Sequence, residues 1–304
     1  MTTLLLAPNE INDTNTQLTL LFQYSLCFGL LQWFCVIFTS PTLPFDKRFY
    51  RASYFLWFLL LPIMIVSAVY SVYYLSTDLQ HRWLGTTTGS FLFIRLYIAI
   101  NVSGTIGELL TWKAGRKADG TTVHHILILL HHILSISSYA LGLTYGNNKI
   151  HYYGCLLGLC EIPTLFLTIL IWSKFENNAT AQFLNKHCSA IFVINGCLLW
   201  VTYIIFRLLL FPYWMYSWVV DLQEYASMNE EGMRNETSTI ILYSAPIMTI
   251  LLFFASIVWF LRIHQGMVKL IKSGGTGMEN DTNNDGTSKD EVDACKEKKN
   301  IHVE

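Results

Sequence analysis

The chain has 304 residues, of which 53% are hydrophobic and 14% aromatic, while 13% are charged and the formal net charge is −1. Soluble domains carry about 25% charged residues, so this composition excludes an ordinary soluble fold and points to a protein that crosses a bilayer several times. The near-neutral balance also excludes a nucleic-acid surface, which needs clustered Lys and Arg in excess.

A spanning helix needs about 20 largely apolar residues. In chain order the stretches that qualify are Leu18 to Thr39, Tyr54 to Leu75, Ser90 to Leu110, His124 to Tyr145, Tyr153 to Trp172, Ile191 to Phe211 and Ile240 to Leu261. The expected fold is therefore all-α, a polytopic bundle of about seven transmembrane helices. The N-terminus lacks the Lys/Arg-rich start of a cleaved signal peptide, so the first stretch is expected to remain as an anchor. Lys47, Arg48 and Arg51 follow the first stretch, Lys113, Arg116 and Lys117 the third, Lys174 and Lys186 the fifth, and Arg262, Lys269 and Lys272 the seventh. The opposite side has only Arg82, Lys149 and Arg234. Positive charge gathers on the cytosolic side, which gives a lumenal N-terminus and a cytosolic C-terminus. On that topology the Asn12 and Asn235 sequons are lumenal, whereas those at Asn178 and Asn280 are cytosolic and stay bare.

Between the last two stretches, Tyr213 to Thr239 reads as a long acidic lumenal connection carrying Asp221, Glu224, Glu230 and Glu231, a lid or a linker. The aromatic run from Phe211 to Trp218 has the composition of an interfacial belt. From Lys272 onward large apolar residues are nearly absent, so this cytosolic tail is expected to be disordered. The seven cysteines lie mostly in apolar runs, where a thiol acts as a small hydrophobe, and they spell neither a disulfide framework nor a CxxC pair.

Ionisable groups inside spanning stretches are costly and mark function by default. The fourth stretch opens with His124, His125, His131 and His132, and the fifth carries Glu161 and Pro163. At about 1.5 Å of rise per residue, His131 and His132 lie about 10 Å deeper than the first pair, and Glu161 lies about 12 Å in from the other face. If the two helices form an antiparallel hairpin, the deeper histidines and the carboxylate share a level near mid-bilayer. An imidazole to carboxylate contact is then open, although a buried histidine can equally serve as hydrogen-bonding glue between helices. His124 and His125 read as interfacial. The two pairs are seven residues apart, not the i,i+3 or i,i+4 of a helical metal motif, so no metal site is expected. Arg95 and Arg207 are expected to snorkel to headgroups, Glu108 to be a solvated helix end, and Asn101 and Asn195 to hydrogen-bond between helices. Pro62, Pro163 and Pro246 remove backbone donors within their spans.

Four blocks in order resemble the TLC-domain family, named for TRAM, LAG1 and CLN8. LLHHILSI (Leu129 to Ile136) is similar to its HH-x-x-S/T block, and EIPTLFL (Glu161 to Leu167) to its E-x-S/T-P-x-L block. Asn195, Gly196, Phe206, Arg207 and Phe211 to Trp214 resemble its closing helix. In Thr105 to Trp112, Gly107 and Glu108 stand where members usually show a Tyr-Asp pair. The resemblance implies a TLC-like domain of six helices over 47–260, preceded by a lumenal N-terminus and first helix (1–46) and followed by a cytosolic tail (261–304), with residence in the endoplasmic reticulum. Ceramide synthases of the family add a second His-Asp block, where this chain has Cys160, Glu161 and Thr164. The pattern is nearer the non-synthase group associated with membrane-lipid composition.

The expected function is binding of an acyl or sphingoid lipid within the helix bundle, with membrane lipids as partners, no cofactor, and an effect on lipid homeostasis. The candidate lipid-binding residues are His131, His132, Glu161, Glu108, Asn195 and Arg207. The alternative is a divergent N-acyltransferase with acyl-CoA as co-substrate, in which His131, His132 and Glu161 are catalytic. A trafficking adaptor acting through its cytosolic tail is a third class.

Overall fold

The structure, a computed structural model, describes residues 14–39, 43–110, 122–145, 150–173, 189–228 and 239–272. A bilayer core offers the backbone no water, so each N–H and C=O must be satisfied within the segment that crosses it. The described residues accordingly form helices and no strand. They are α1 (Thr14–Phe38), α2 (Phe45–Leu75), α3 (Leu79–Leu84), α4 (Thr88–Leu110), α5 (Thr122–Tyr145), α6 (His151–Gly158), α7 (Ile162–Ser173), α8 (Ser189–Tyr203), α9 (Leu210–Met228) and α10 (Thr239–Lys272). A 3₁₀ turn, Leu159–Glu161, joins α6 to α7, and a π-helical turn, Ile204–Leu209, joins α8 to α9. Among the described residues seven helical stretches are long and apolar enough to cross a membrane, one for each apolar stretch of the sequence.

Helix α4 is the centre of the bundle. Of the most apolar part of Leu79–Gly107, 61% is buried, against 17–39% for the other six stretches, the pattern of a helix surrounded by protein on all sides. Phe93, Ile94, Tyr97, Ile98 and Ile100 are buried on it, and α1, α2, α5 and α6 pack around it. Its start is fixed by a reciprocal box in which Ser90 N–H donates to Thr87 Oγ1 and Thr87 N–H to Ser90 Oγ, both at 3.0 Å, which pairs donors that a helix N-terminus leaves free. The outer helices invert the polarity of a soluble protein. Phe22, Ile37, Phe38 and Tyr73 are exposed, whereas Gln17, Gln32, Arg95, Glu161, Arg207 and Asp221 are buried.

Close approach sets where small residues stand. On α6, a methyl added at Gly158 would overlap the Phe93 ring of α4, so the helices meet at a distance only glycine permits. The backbone entering α6 adopts φ 61° at Ile150, an uncommon conformation for a β-branched residue. It is held there by Ile150 N–H donating to Trp83 O at 2.8 Å.

Several expectations are corrected. The sixth spanning helix does not end at Phe211: helix runs from Ser189 to Met228 through the π-helical turn, so Asp221 and Glu224 belong to α9 and not to a loop, while 229–238 lies outside the described residues. The run Phe211 to Trp218 is two-faced, with Phe211, Trp214 and Trp218 buried and Tyr213 and Tyr216 exposed. Only the second face has the exposure of a lipid-contacting belt. Arg95 does not snorkel: it is buried, donates to Gln17 Oε1 at 2.9 Å and lies over the Phe91 ring. The seventh spanning helix passes residue 261 and continues to Lys272, and residues 273–304 lie outside the described residues, as do the four sequons. Pro62 and Pro246 sit inside continuous helices.

Candidate functional site

Among the described residues the most buried ion pair is built around Glu161, at the C-terminal end of the 3₁₀ turn. Pro163 follows two residues later and has no N–H to give, which suits a tightened turn before α7 resumes. Cys160 O accepts from Arg207 Nε at 2.8 Å, and Arg207 Nη2 lies 3.4 Å from both carboxylate oxygens of Glu161. Thr164 Oγ1 donates to Glu161 Oε2 at 2.7 Å, and the Tyr97 hydroxyl donates to Oε1 at 3.1 Å. Tyr97 also lies 3.4 Å from Ser135 Oγ on α5. Arg207 is 6% exposed and Glu161 4%, so Arg207 is an internal partner and not the snorkelling residue expected from sequence. Counted along their helices at ~1.5 Å per residue, Tyr97, His131 and Glu161 each lie ~14 to 15 Å from a helix start, about half the ~30 Å thickness of a hydrocarbon core.

Arg207 owes its inward position to the π-helical turn. The buried positions Asn195, Leu199, Tyr203, Arg207 and Phe211 recur at every fourth residue, and in a regular helix of 3.6 residues per turn such a row drifts by about 40° per step. A π turn, with its i→i+5 bonding, absorbs that drift, and turns of this kind concentrate at functional sites. The fourfold spacing identifies this row only once its buried face is known.

The histidines sit beside this pair without bonding to it. Among the described residues the hydrogen-bond partners of Glu161 are Tyr97, Thr164 and Arg207, and neither histidine is one of them. His131 stands edge-on to Trp259 of α10, with ring centroids 5.0 Å apart, and the Arg207 guanidinium lies 5.8 Å from the same indole. His132 faces α4, where a Cβ at Gly104 would come within 3.0 Å of its Cε1. The two imidazole centroids are 5.9 Å apart. Nδ1 of His131, Nδ1 of His132 and Nε1 of Trp259 are buried without a hydrogen-bond partner among the described residues. Buried polar atoms are normally paired, so these three ring nitrogens beside a fully paired ion pair lack partners, those of His131 and Trp259 where α5 meets α10 and that of His132 on the side facing Gly104 of α4.

Of the remaining candidates, Asn195 donates from Nδ2 to Phe166 O at 2.9 Å and ties α8 to α7, which makes it a bracket behind the Arg207 row. Asn101 bonds within its own helix, to Tyr97 O, and not between helices. The side chains of Glu108, His124 and His125 lie outside the described part of the structure. No group of three metal-ligating side chains is present among the described residues.

Sequence reading did not single out Tyr97 or Trp259, and it met Thr164 and Ser135 only as parts of the family blocks, because hydroxyls and aromatic rings on apolar helices carry no depth or facing information by themselves. It also placed Asp221 in a loop. In the structure Asp221 is buried, accepts from Arg82 Nε at 2.5 Å and Nη2 at 2.8 Å, and takes the Tyr153 hydroxyl as a further donor. Trp83 Nε1 donates to its backbone carbonyl at 3.2 Å. This second ion pair clasps α3, α6 and α9 at the end of the bundle that holds the start of α1.

No curated protein and no solved structure matches the chain. The family model described as TLC domain (TRAM, LAG1, CLN8) matches residues 13–265, a range that takes in α1 as well as the helices carrying the two charged pairs. Seven helical stretches among the described residues that are long and apolar enough to cross a membrane, and a family match over most of its length, establish that the chain belongs to the TLC-domain family of multi-pass membrane proteins.

Proposed function

We propose that the protein binds an acyl or sphingoid lipid between α5, α7 and α10 and thereby influences membrane lipid composition. The observation that carries this reading is the group of unpaired ring nitrogens on His131, His132 and Trp259 beside the Glu161–Arg207 pair. A lipid carbonyl, hydroxyl or amide supplies the missing partners, and its chains lie against the apolar and aromatic side chains of the helices. The ion pair is already saturated by Tyr97 and Thr164, so its role is to hold α7 and the π-helical turn in register while the histidines and Trp259 meet the ligand. The reading includes residence in the endoplasmic reticulum with a lumenal N-terminus and cytosolic C-terminus, supported by the Lys/Arg asymmetry of the connections.

The test replaces His131 and His132 together by Ala and compares the cellular lipidome and the lipids that copurify in mild detergent. A changed copurifying species is the expected result, and an unchanged lipidome with unchanged bound lipid overturns the proposal.

The N-acyltransferase reading draws on the same unpaired nitrogens, since a neutral imidazole can take a proton from an attacking amine. The amine nitrogen then bonds the acyl carbon and the CoA thiolate leaves, taking up the proton. Against it, the carboxylate that would orient the base has its acceptor positions filled by Tyr97, Thr164 and Arg207. Turnover of acyl-CoA and a long-chain base by the purified protein, lost on replacing both histidines, would make this the better reading.

A further inference from the structure

A second group of unpaired nitrogens lies on α6 and α9. A partly open cleft of about 50 Å³ runs beside α6, with Ser138 and Gly142 of α5 on one side and Ser244 and Ala245 of α10 on the other. His151 and Trp218 line it. They are 2% and 1% exposed, and His151 Nε2 and Trp218 Nε1 have no hydrogen-bond partner among the described residues.

The local hydrogen bonds guide the assignment of what each nitrogen offers. Ser90 Oγ lies 2.8 Å from Thr87 O, to which we assign its proton, and accepts Thr87 N–H at 3.0 Å. Its remaining lone pair then faces His151 Nδ1 at 2.7 Å, which assigns the imidazole proton to Nδ1 and leaves Nε2 a bare acceptor. Trp218 Nε1 is a donor only. On two residues that line the cleft, the unpaired nitrogens are thus one donor and one acceptor. An anion has no proton for His151, and a cation has no lone pair for Trp218. A hydroxyl serves both with a single oxygen. A water-sized group needs about 10 to 15 Å³, so the cleft holds more than one, enough for a hydroxymethyl group with the start of its chain. The flanking residues Tyr243 and Ile247 of α10 are exposed and apolar, which places lipid directly alongside.

From this geometry we infer that the His151–Trp218 cleft is a binding site, separate from the His131–His132 site, for the free primary hydroxyl of an uncharged membrane lipid. His151 accepts the hydroxyl proton, Trp218 donates to its oxygen, and the lipid body lies between α5 and α10.

The test uses the full chain in lipid nanodiscs with a diazirine-bearing diacylglycerol as probe, its O-methyl ether as control, and cross-linked peptides mapped by mass spectrometry. The expected result is labelling of Ser138 to Leu143 and Tyr243 to Ile247, reduced about fivefold for the ether, as befits loss of one hydrogen bond. Trp218→Phe, which keeps an aromatic side chain but removes the N–H with part of the buried indole, gives a similar reduction in a protein that still unfolds cooperatively, at a lower melting temperature. His151→Phe serves as a second variant, and the ether control reads the wild-type protein should that variant not fold. Equal labelling by alcohol and ether overturns the inference, as does labelling confined to other helices. Stronger labelling by a diazirine sterol than by the diacylglycerol overturns the assignment to a primary alcohol. Replacing His131 and His132 by Ala leaves this labelling unchanged, and its loss in that variant would show that the two sites are one.

Discussion

Removing one member of the Glu161–Arg207 pair should damage the protein far more than removing both. At an effective dielectric of about 20, unit charges at this 3.4 Å separation attract by about 5 kcal/mol. Taking the two charges out of water offsets much of that gain. The consequence appears on truncation: Glu161→Leu leaves a buried guanidinium whose remaining partners are Cys160 O and Thr164 Oγ1. It also leaves the Tyr97 hydroxyl with only the longer contact to Ser135 Oγ at 3.4 Å, so a loss of about 3 to 5 kcal/mol is expected. Arg207→Met leaves the carboxylate with only Tyr97 and Thr164 as donors and should cost a similar amount. The double variant removes both uncompensated charges and should be more stable than the sum of the singles by at least about 2 kcal/mol. Reversible unfolding in mild detergent micelles, followed by tryptophan fluorescence, measures all three. Additivity within about 0.5 kcal/mol would refute the view that the two side chains act as a pair.

Three further outcomes are expected. Asp221→Ala should lower stability by about 2 to 3 kcal/mol in the same assay, below the fully buried limit because Arg82 keeps 22% exposure and can recover some water; an effect no larger than that of an exposed acid on α9 would count against the clasp. Gly158→Ala should cost about 1 to 3 kcal/mol by overpacking, and adding Phe93→Leu should restore part of it, whereas no effect of the single change would contradict the close α4–α6 contact. At the exposed start of α3, Asp78 accepts from His81 N–H at 2.8 Å, and this bond holds its carboxyl below the usual carboxylate range. A folded pKa below the unfolded one contributes stability above the unfolded value and loses it as pH falls through the folded value. Hydrogen-exchange protection at the His81 amide should therefore be constant above about pH 5 and fall on stronger acidification, and a protection factor that rises instead would exclude the cap.

Much of the architecture was legible in one dimension. Seven apolar stretches became seven spanning helices because a bilayer leaves a chain of that length and composition one way to satisfy its backbone. The blocks around His131 and Glu161 also announced the family, since ionisable residues at mid-span stand out against apolar neighbours. Expectations failed where facing mattered. An arginine near a helix end reads as snorkelling, yet Arg95 and Arg207 point inward, and Asp221 reads as part of an acidic loop, yet it is a buried acceptor.

Sequence alone determined class and span number, because hydrophobicity and a fixed helical rise act locally and additively. Which groups meet was decided by tertiary structure. Glu161 lay level with His131 and His132, but its bonds go to Tyr97, Thr164 and Arg207. That choice depends on rotation about each helix axis, set here by a π-helical turn, a 3₁₀ turn before Pro163 and the close α4–α6 approach at Gly158. Rotation is a property of packing between helices, and spacing along the chain does not encode it once a regular helix is interrupted.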